Sequence, residues 1–433
     1  MMKKLLVGLL FLGLIVGGYF YFADGEDNSD NDAVTITCGM VGLEHKTCKE
    51  GVALWEKKTG KKAKILPAPN GSNERLTIFQ QYLAAGDASI DIYQVDVVWP
   101  GLLENHLEDL KKYIPQEELD TYIPTLIENN TVNGRLVAMP WFIQVGFMYY
   151  RKDLLEKYNR PVPQTWEEME ETAKIIMEGE KKTGNNIWGY VFQGKAYEGL
   201  TCNALEMVNS TKDGGTIIDH KGKITLNNSQ AAGVINRLSR WIGTIAPEGV
   251  LNYEQEDCRG IFQSGKAVFM RNWPYAWPLL NSKDSPVKGK IGIAPLPKGG
   301  KDGHHTGVLG GWNLALSKYS KRKEDAADLI RFLTGKEELR RRAIVGGYFP
   351  TIESLYNDKD IIAANPLMKI MKKVLKTITA RPGGQTGSKY SQVSSVFWNS
   401  VHKTLSKNGT AEENFATAAE KLNSLSKNGT KWY

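Results

Sequence analysis

Cysteine and histidine, which often bind metals or act as nucleophile and base, are scarce: the 433 residues include four cysteines and six histidines. The chain contains neither the Gly-x-Ser-x-Gly pattern of a nucleophile elbow nor the His-Glu-x-x-His pattern of a zinc helix. The adjacent His304 and His305 lie in a glycine-rich stretch, where a solvated loop is a simpler interpretation than a metal site. We therefore expect no catalytic centre of these kinds, no metal and no cofactor.

Binding of nucleotides or nucleic acids is also poorly supported. Residues Gly260 to Lys266 match the spacing of a phosphate-binding loop, but Ala267 stands where a serine or threonine must bind magnesium. The segment also precedes a predicted strand, whereas such a loop follows one. The net charge of +7 is spread along the chain without a recognisable nucleic-acid-binding module. No internal repeat indicates a solenoid or a propeller.

The N-terminal segment has the features of an export signal. Lys3 and Lys4 precede an uncharged run from Leu5 to Phe22, and five acidic residues follow by Asp32. The positive-inside rule predicts that the rest of the chain is exported. Cleavage and retention as a membrane anchor both remain open, since no Ala-x-Ala site is present and the run is about the shortest that spans a bilayer. We expect residues 1–32 to lie outside the folded body of a periplasmic or cell-surface protein.

The four cysteines of an exported chain predict two disulfides, for which three pairings are possible. Cys38 and Cys48 are close in sequence, at the end of the first predicted strand and the start of the first helix, and we pair them. Cys202 with Cys258 is then the second predicted bond. Two isolated buried thiols are the alternative for that second pair.

The hydrophobic pattern alternates between strand and helix and predicts an α/β protein. A chain of 433 residues exceeds one ordinary core, so two lobes are expected. The early predicted elements are a strand at Val34–Thr37, a helix to Gly60, a strand at Lys64–Leu66, a helix capped by Ser72 and a strand at Ile90–Val98. Such alternation favours parallel strands with helices on both faces.

The pattern repeats after residue 145 and predicts a second lobe. Thr165 and Glu168 form a predicted capping box that opens a helix reaching about Gly184. The other predicted elements are strands at Trp188–Phe192, Ala267–Met270, Ile291–Ala294 and Leu314–Leu316 and a helix at Ala326–Leu333.

Two features of the sequence point to a sugar site. Trp273, Tyr275 and Trp312 lie in turns bounded by proline or glycine, and such rings suit the apolar C–H faces of a sugar. Asp96 lies near the C-terminal end of an otherwise apolar strand, where open α/β sheets bind ligands. A carboxylate there can accept two sugar hydroxyls. The alternatives are an aspartate bonded to local backbone amides and aromatic rings buried in the core.

A series of longer motifs occurs in an order typical of one protein family. In chain order they are Asp96-Val97-Val98-Trp99, Tyr149–Tyr158, Gln193–Leu200, Arg271–Trp277, Ser285–Lys290, Leu309–Trp312 and Arg381-Pro382. On these motifs the chain resembles the extracellular solute-binding proteins of carbohydrate ABC importers, in particular the trehalose/maltose-binding branch. The resemblance covers residues 33 to 433.

The resemblance implies a two-lobed periplasmic-binding-protein fold of class II, with mixed sheets flanked by helices, which closes on a disaccharide in the cleft. The acids and arginines are implied as partners of sugar hydroxyls, the aromatics after residue 272 as stacking platforms, and Gly311 as a backbone contact. The ligand-binding residues so implied are Glu44, Arg75, Asp96, Trp99, Phe142, Gln144, Trp273, Tyr275, Gly311, Trp312 and Arg381.

The sequence departs from the family in one part of this set. Relatives typically carry an acid where this chain has Gln144, and some carry a hydroxyl where it has Phe142. An amide adds donors and loses the charge, so the departure bears on which sugar binds rather than on the class of ligand.

We therefore expect a monomer that serves as the substrate-binding component of an ABC sugar importer. Its expected ligand is an α-glucoside such as trehalose, maltose or sucrose, which it would deliver to the membrane permease. The expected lobes comprise residues 33–141 with 308–348, and 142–307 with 349–433. Hinge crossings are expected near 140–146, 303–308 and 346–350, with the ligand favouring a closed state.

Two other functions stay open at this point. A glycoside hydrolase needs two acids flanking the scissile bond, for which Glu44 and Asp96 are the convenient pair, but Arg381 nearby would keep both ionised. A binding protein for an amine or a metal is the second alternative. An amine site favours more acids around its aromatics, and Arg271 beside Trp273 argues against it.

Overall fold

The structure is a computed structural model that describes residues 32–39, 42–69, 71–365, 367–375, 377–427 and 432. The predicted targeting segment, residues 1–32, lies outside the described residues except for Asp32. No helix within the described ranges is long and apolar enough to cross a membrane.

The strands form two mixed sheets and one small antiparallel pair. Their bounds are β1 Val34–Thr37, β2 Ala63–Leu66, β3 Ile92–Asp96, β4 Thr131–Val132, β5 Arg135–Leu136, β6 Met139–Val145, β7 Phe147–Arg151, β8 Trp188–Val191, β9 Ala267–Asn272, β10 Ile291–Pro295 and β11 Leu309–Leu316. The strands predicted from the sequence are all present, β1 with the predicted bounds and the others with bounds shifted by at most five residues.

Helices cover the faces of both sheets. The α-helices are α1 Gly42–Thr59, α2 Ser72–Ala84, α3 Pro100–Leu103, α4 Gln116–Leu119, α5 Pro124–Asn129, α6 Lys152–Lys157, α7 Trp166–Lys182, α8 Glu198–Ser210, α9 Ser229–Trp241, α10 Gln255–Gln263, α11 Ala276–Leu280, α12 Lys323–Thr334, α13 Lys336–Gly346, α14 Lys359–Ala364, α15 Leu367–Val374, α16 Gly383–Thr386, α17 Tyr390–Leu405 and α18 Ala411–Leu425. Short 3-10 helices lie at Glu104–His106, Leu110–Lys112, Glu248–Asn252, Glu353–Asn357 and Gly387–Lys389.

The first lobe is built on a five-stranded sheet with the order β2-β1-β3-β11-β6. β1 pairs in parallel with β2 and β3, as the alternation of strands and helices predicts. β11 instead runs antiparallel to β3 and β6. β6 leaves this sheet toward the second lobe and β11 returns from it, so the two strands run in opposite directions and the sheet is mixed.

The second lobe is built on a four-stranded mixed sheet with the order β10-β7-β9-β8. β7 is antiparallel to its two neighbours, and β8 is parallel to β9. Residues of α7, α8, α9, α17 and α18 share one buried hydrophobic cluster with this sheet. The C-terminal helices therefore belong to the second lobe.

Two of the three passages between the lobes lie later in the chain than the predicted boundaries. β6 pairs with β11 as far as Val145, so the chain leaves the first sheet at Gly146 rather than between residues 141 and 142. Beyond residue 348 the chain still bonds to the first lobe, because Phe349 O accepts from Ile143 N at 3.1 Å and Thr351 O accepts from Ile123 N at 2.9 Å.

Two predicted helix starts differ in outcome. The capping box of Thr165 and Glu168 is confirmed, with both reciprocal hydrogen bonds present at the start of α7. The prediction that Ser72 caps α2 is wrong by one residue. Gly71 occupies the cap position without a side-chain bond, and Ser72 is already the first helical residue.

One predicted disulfide is confirmed and the other is wrong. Cys38 at the end of β1 is bonded to Cys48 in α1. Cys202 in α8 and Cys258 in α10 are free and buried. Cys202 lines the space between the lobes, whereas Cys258 is fully buried within the protein. Burial raises the pKa of the Cys202 thiol to about 12, and it raises the pKa of Cys258 as well.

We predict that the folded protein without reductant shows almost no titratable thiol and that denaturant exposes two. Cys202 and Cys258 are shielded and protonated in the folded state, and Cys38–Cys48 is oxidised. Peptide mapping without reductant should find the Cys38–Cys48 link alone, and its reduction should cost about 2–3 kcal/mol of stability. A linked peptide that contains Cys202 and Cys258 would contradict the structure.

Candidate functional site

A cavity of about 400 Å³ opens between the lobes, at the carboxyl ends of β3 and β9. In open α/β sheets this is the edge at which ligands bind. The predicted site residues that line it are Glu44, Arg75, Asp96, Gln144, Trp273, Tyr275, Gly311, Trp312 and Arg381. The structure therefore brings together residues that are far apart in the sequence, from the first helix to the segment before α16.

The first-lobe wall is formed where β3 and β11 pair. Asp96, the last residue of β3, lies opposite Trp312 in the antiparallel register. Gly311, the residue before Trp312, has φ +132°, and a Cβ on Gly311 would lie 2.3 Å from the carbonyl oxygen of Phe142. Only glycine fits this backbone and this approach, so the glycine sets the position at which the Trp312 ring leaves the strand.

The ring of Trp312 is half-buried and has charged and aromatic neighbours. The Arg75 guanidinium lies over it, with Cζ 4.5 Å from the ring centroid. Trp99 contacts the same ring edge-to-face at 5.6 Å. Arg75 is itself 3% exposed and donates from Nε to the carbonyl of Pro69 at 3.0 Å, and burial lowers the pKa of its guanidinium. The Trp312 ring is thus held by its neighbours while part of it faces the cavity.

The second-lobe wall carries Trp273, which directly follows β9. Arg271 stacks on one face of its ring at 3.9 Å, and the half-buried ring lines the cavity. Arg271 is fixed by a buried ion pair with Glu206, with contacts of 2.8 and 2.5 Å between guanidinium and carboxylate. Both side chains are 1% exposed. Cation–π contact and burial together orient the indole before any ligand arrives.

This ion pair also touches the passages between the lobes. Glu206 Oε1 accepts from the backbone N–H of Val308 at 3.1 Å, directly before β11. A Cβ at Gly146, between β6 and β7, would lie 2.2 Å from Glu206 Oε1 and 2.6 Å from Arg271 Nη2. The support of the Trp273 platform and the chain segments that join the lobes are therefore packed against each other.

Tyr275 lines the cavity beside Trp273, and its hydroxyl proton is engaged in a hydrogen bond within the protein. Its OH donates to Glu256 Oε1 at 2.5 Å, and burial together with Glu256 raises the pKa of the phenol. Arg259 holds the other oxygen of Glu256 from Nη2 at 2.6 Å. Since the Tyr275 hydroxyl donates its proton to Glu256, its oxygen can only accept from a further group.

Glu44 lies in the first turn of α1. Its carboxylate accepts from Gln94 Nε2 at 2.6 Å, and Gln94 in turn accepts from the backbone N–H of Gly39 at 2.8 Å. The helix N-terminus favours a negative charge at this position. Glu44 therefore presents an oriented carboxylate to the cavity.

Arg381 connects the two walls through a buried double ion pair. Its Nη2 donates to Asp96 Oδ1 at 2.7 Å, and its Nη1 donates to Glu198 Oε1 at 2.8 Å. The three residues are between 5% and 8% exposed, so water screens the charges little. Burial raises the pKa of the Glu198 carboxyl even though Arg381 opposes that shift.

Trp99 and Phe142 do not line the cavity, so their assignment as ligand contacts is corrected. Trp99 is 3% exposed and packs against Phe79 and Trp312. Phe142 is 1% exposed, and Tyr348 covers it with the ring centroids 4.7 Å apart. Both side chains support residues that do face the cavity.

Sequence reasoning missed several residues that line the cavity. Glu198 lies within the Gln193–Leu200 motif without a predicted role. Tyr348 follows α13 and gives no signal, because it resembles a core tyrosine. The other missed polar or aromatic residues are Ser72, Tyr197, Gln255, Glu256 and Arg259.

Comparison with known proteins finds one matching family model and relatives that are binding proteins. Residues 43–339 match the family model of bacterial extracellular solute-binding proteins. A probable ABC transporter-binding protein of Deinococcus radiodurans is 47% identical over 383 residues, which cover 88% of this chain and 90% of that protein. An arabinooligosaccharide-binding protein of Bacillus subtilis is 25% identical over 383 residues, 84% of each chain.

Solved structures agree in fold. MalE3 of T. maritima with bound maltose has a TM-score of 0.85 and 39% identity, covering 91% of this chain and 99% of that chain. A solute-binding protein of Thermotoga lettingae bound with alpha-D-tagatose has a TM-score of 0.80 at 22% identity, covering 91% of this chain and 100% of that chain, and shows the fold alone. The predicted two-lobed periplasmic-binding-protein fold is confirmed.

We predict that Gly311→Ala destabilises the protein and that Gly233→Ala does not. The first change forces a side chain into a left-handed backbone and against a carbonyl, at about 1–3 kcal/mol. Gly233 in α9 has open space where a Cβ would lie, and alanine there should stabilise the helix by about 0.5–1 kcal/mol. Thermal unfolding of both variants tests this, and equal melting temperatures would contradict it.

Proposed function

This chain belongs to the family of bacterial extracellular solute-binding proteins, and we propose that it binds an α-glucoside disaccharide in its cleft and delivers it to an ABC importer. Trehalose, maltose and sucrose are the proposed ligand types. The protein would be exported, act as a monomer and meet the permease subunits at the membrane.

The observation that carries the proposal is the composition of the cleft walls. Two half-buried indoles, Trp273 on one lobe and Trp312 on the other, face the same cavity. Asp96 and Arg381 line the same cavity as an ion pair with hydrogen-bonding groups. Sugars present apolar ring faces and hydroxyl edges, so aromatic platforms with charged groups at their edges fit that chemistry. The cavity volume of about 400 Å³ is within the usual range of small-molecule sites.

The relatives support the same class of ligand. The T. maritima protein, to which this chain is 39% identical, has maltose bound. The B. subtilis relative is an arabinooligosaccharide-binding protein. We carry sugar binding to this chain on that basis, and the choice of an α-glucoside rests on the resemblance to the trehalose/maltose-binding branch and on the maltose bound to the T. maritima protein.

We propose binding without hydrolysis. A glycosidase needs one carboxylic acid that is protonated when the substrate is bound. Asp96 is ion-paired with Arg381 at 2.7 Å, and Glu44 accepts a hydrogen bond from an amide, so neither is arranged as an acid. Incubation with trehalose and maltose should release no glucose, and sustained release would overturn this part of the proposal.

The proposed lobes keep the expected partition with two changes. The first boundary moves from between residues 141 and 142 to Gly146, and the last moves beyond Thr351. Closure of these lobes around the sugar would be driven by groups that both lobes contribute, since a ligand shifts the equilibrium only by binding one state better.

A thermal-shift panel of mono- and disaccharides tests the proposed function. A ligand present at about 100 times its dissociation constant adds about 2.7 kcal/mol of stability, which is readily measured. We expect α-linked glucose disaccharides to raise the melting temperature most. No shift with any sugar in the panel, alongside a shift with an amine or an amino acid, would reject the proposal.

We predict that Trp273→Ala and Trp312→Ala each weaken disaccharide binding at least about tenfold, or 1.4 kcal/mol. Each change removes a ring that lines the cavity. Trp188→Ala is a matched control, because Trp188 is half-buried in β8 and does not line this cavity. Calorimetric titration measures the affinities, with melting curves to check folding. Unchanged affinity in both cleft variants would place the ligand elsewhere.

We predict that Gln144→Asp changes the order of preference among trehalose, maltose and sucrose. Gln144 lines the cavity with one acceptor oxygen and a donating amide, whereas a carboxylate offers acceptors alone. Relative affinities should shift by about 1 kcal/mol or more, the scale of a hydrogen bond to a charged group. Titration of both proteins against the three sugars tests this. If the substitution changed the affinities for all three sugars by the same factor, residue 144 would not set specificity.

A further inference from the structure

Arg381 lies where the two lobes and their connection meet. Two residues before it, Thr379 O accepts from Leu309 N at 2.8 Å, and Thr379 N donates to Gly307 O at 3.0 Å. The backbone near Arg381 is thus bonded to the segment that leads into β11. Its side chain then reaches Asp96 of the first lobe and Glu198 of the second.

Both carboxylate oxygens of Glu198 already accept hydrogen bonds from side chains of the protein. Oε1 accepts from Arg381 Nη1 and from the hydroxyl of Tyr390, and Oε2 accepts from Ser394 Oγ at 2.7 Å. A carboxylate has about four acceptor positions, so little remains for a ligand. Three donors instead fix the carboxylate at the head of α8.

The segments beside this bridge are in close contact across the lobes. A Cβ at Gly383 would lie 3.2 Å from Cα of Val98, and a Cβ at Gly101 would lie 3.3 Å from Cα of Gly387. The backbone N–H of Glu198 also donates to Asn73 Oδ1 of α2 at 3.2 Å. The distance between Glu198 and Asp96, and hence the bridge, therefore depends on how far the lobes are apart.

We propose that Glu198 is the residue that positions Arg381 in the cleft and so couples sugar binding to closure of the lobes. The inference rests on the proposed function for its ligand. Held by Glu198 through Nη1, the guanidinium meets Asp96 through one nitrogen only, at Nη2. The second oxygen of Asp96 stays available for a sugar hydroxyl. Without Glu198, Arg381 is free to turn fully toward Asp96 and compete with the sugar.

The test compares Glu198→Gln with Glu180→Gln in the full-length protein. Glu180 is a matched control, because it is also buried and accepts from Lys157, Tyr158 and Asn185, but it lies in α7 away from the cavity. Maltose and trehalose affinities are measured by calorimetry. X-ray scattering measures the radius of gyration with and without sugar. Tyr390→Phe, which keeps the charge and removes one donor to Glu198, is the milder second variant.

We expect Glu198→Gln to weaken the sugar affinity at least about tenfold and to enlarge the sugar-free radius of gyration, with normal closure at saturating sugar. Tyr390→Phe should act in the same direction by a smaller factor, and Glu180→Gln should lower stability alone. A purely structural role would instead lower the melting temperature of Glu198→Gln without changing affinity or radius, and that result would overturn the inference. If Glu198→Gln does not fold, the sugar affinity and the sugar-free radius of gyration of Tyr390→Phe distinguish the two roles in the same way.

The two proposals fail separately. If the wild-type protein binds no sugar, the proposed function is rejected, and the sugar-free radius of gyration still decides whether Glu198 holds the lobes together. If the wild-type protein binds sugar and both Glu198→Gln and Tyr390→Phe bind it equally well, the positioning role is rejected while the function stands.

Discussion

The site depends on one constraint: a buried guanidinium must be shared by carboxylates that belong to different lobes. Asp96, Arg381 and Glu198 come from β3, from the segment before α16 and from α8, and they meet only when the lobes lie together. Buried charges are costly unless they are paired, and removing one partner costs about 3–5 kcal/mol in comparable cases. The pairing that these buried charges require thus also defines the geometry of the cleft.

A second buried ion pair supports the aromatic part of the site. Glu206 and Arg271 hold Trp273 from behind and contact the chain at Val308, where it re-enters the first lobe. The platform that would bind a sugar is therefore built into the connection between the lobes. A movement of the chain at Val308 would therefore shift the Trp273 ring. Such coupling suits a protein that closes on its ligand.

The sequence was sufficient for the features that depend on local pattern. The strand-end position of Asp96 follows from an apolar run in an α/β pattern, and the Cys38–Cys48 bond follows from short separation. Other features depend on how distant elements face each other. Cys202 and Cys258 sit on helices whose orientation no local pattern reveals, and Trp99 and Phe142 are covered by neighbours from remote segments. The role of Glu198 was missed for the same reason.

The most direct test of the central claim is a crystal structure of the protein with the disaccharide that gives the largest thermal shift. We expect sugar rings against Trp273 and Trp312, hydroxyls bonded to Asp96 and Arg381, and Glu198 bonded to Arg381 but not to the sugar. A sugar bound outside the cleft, or one within it that makes no contact with Asp96 or Arg381, would contradict that claim.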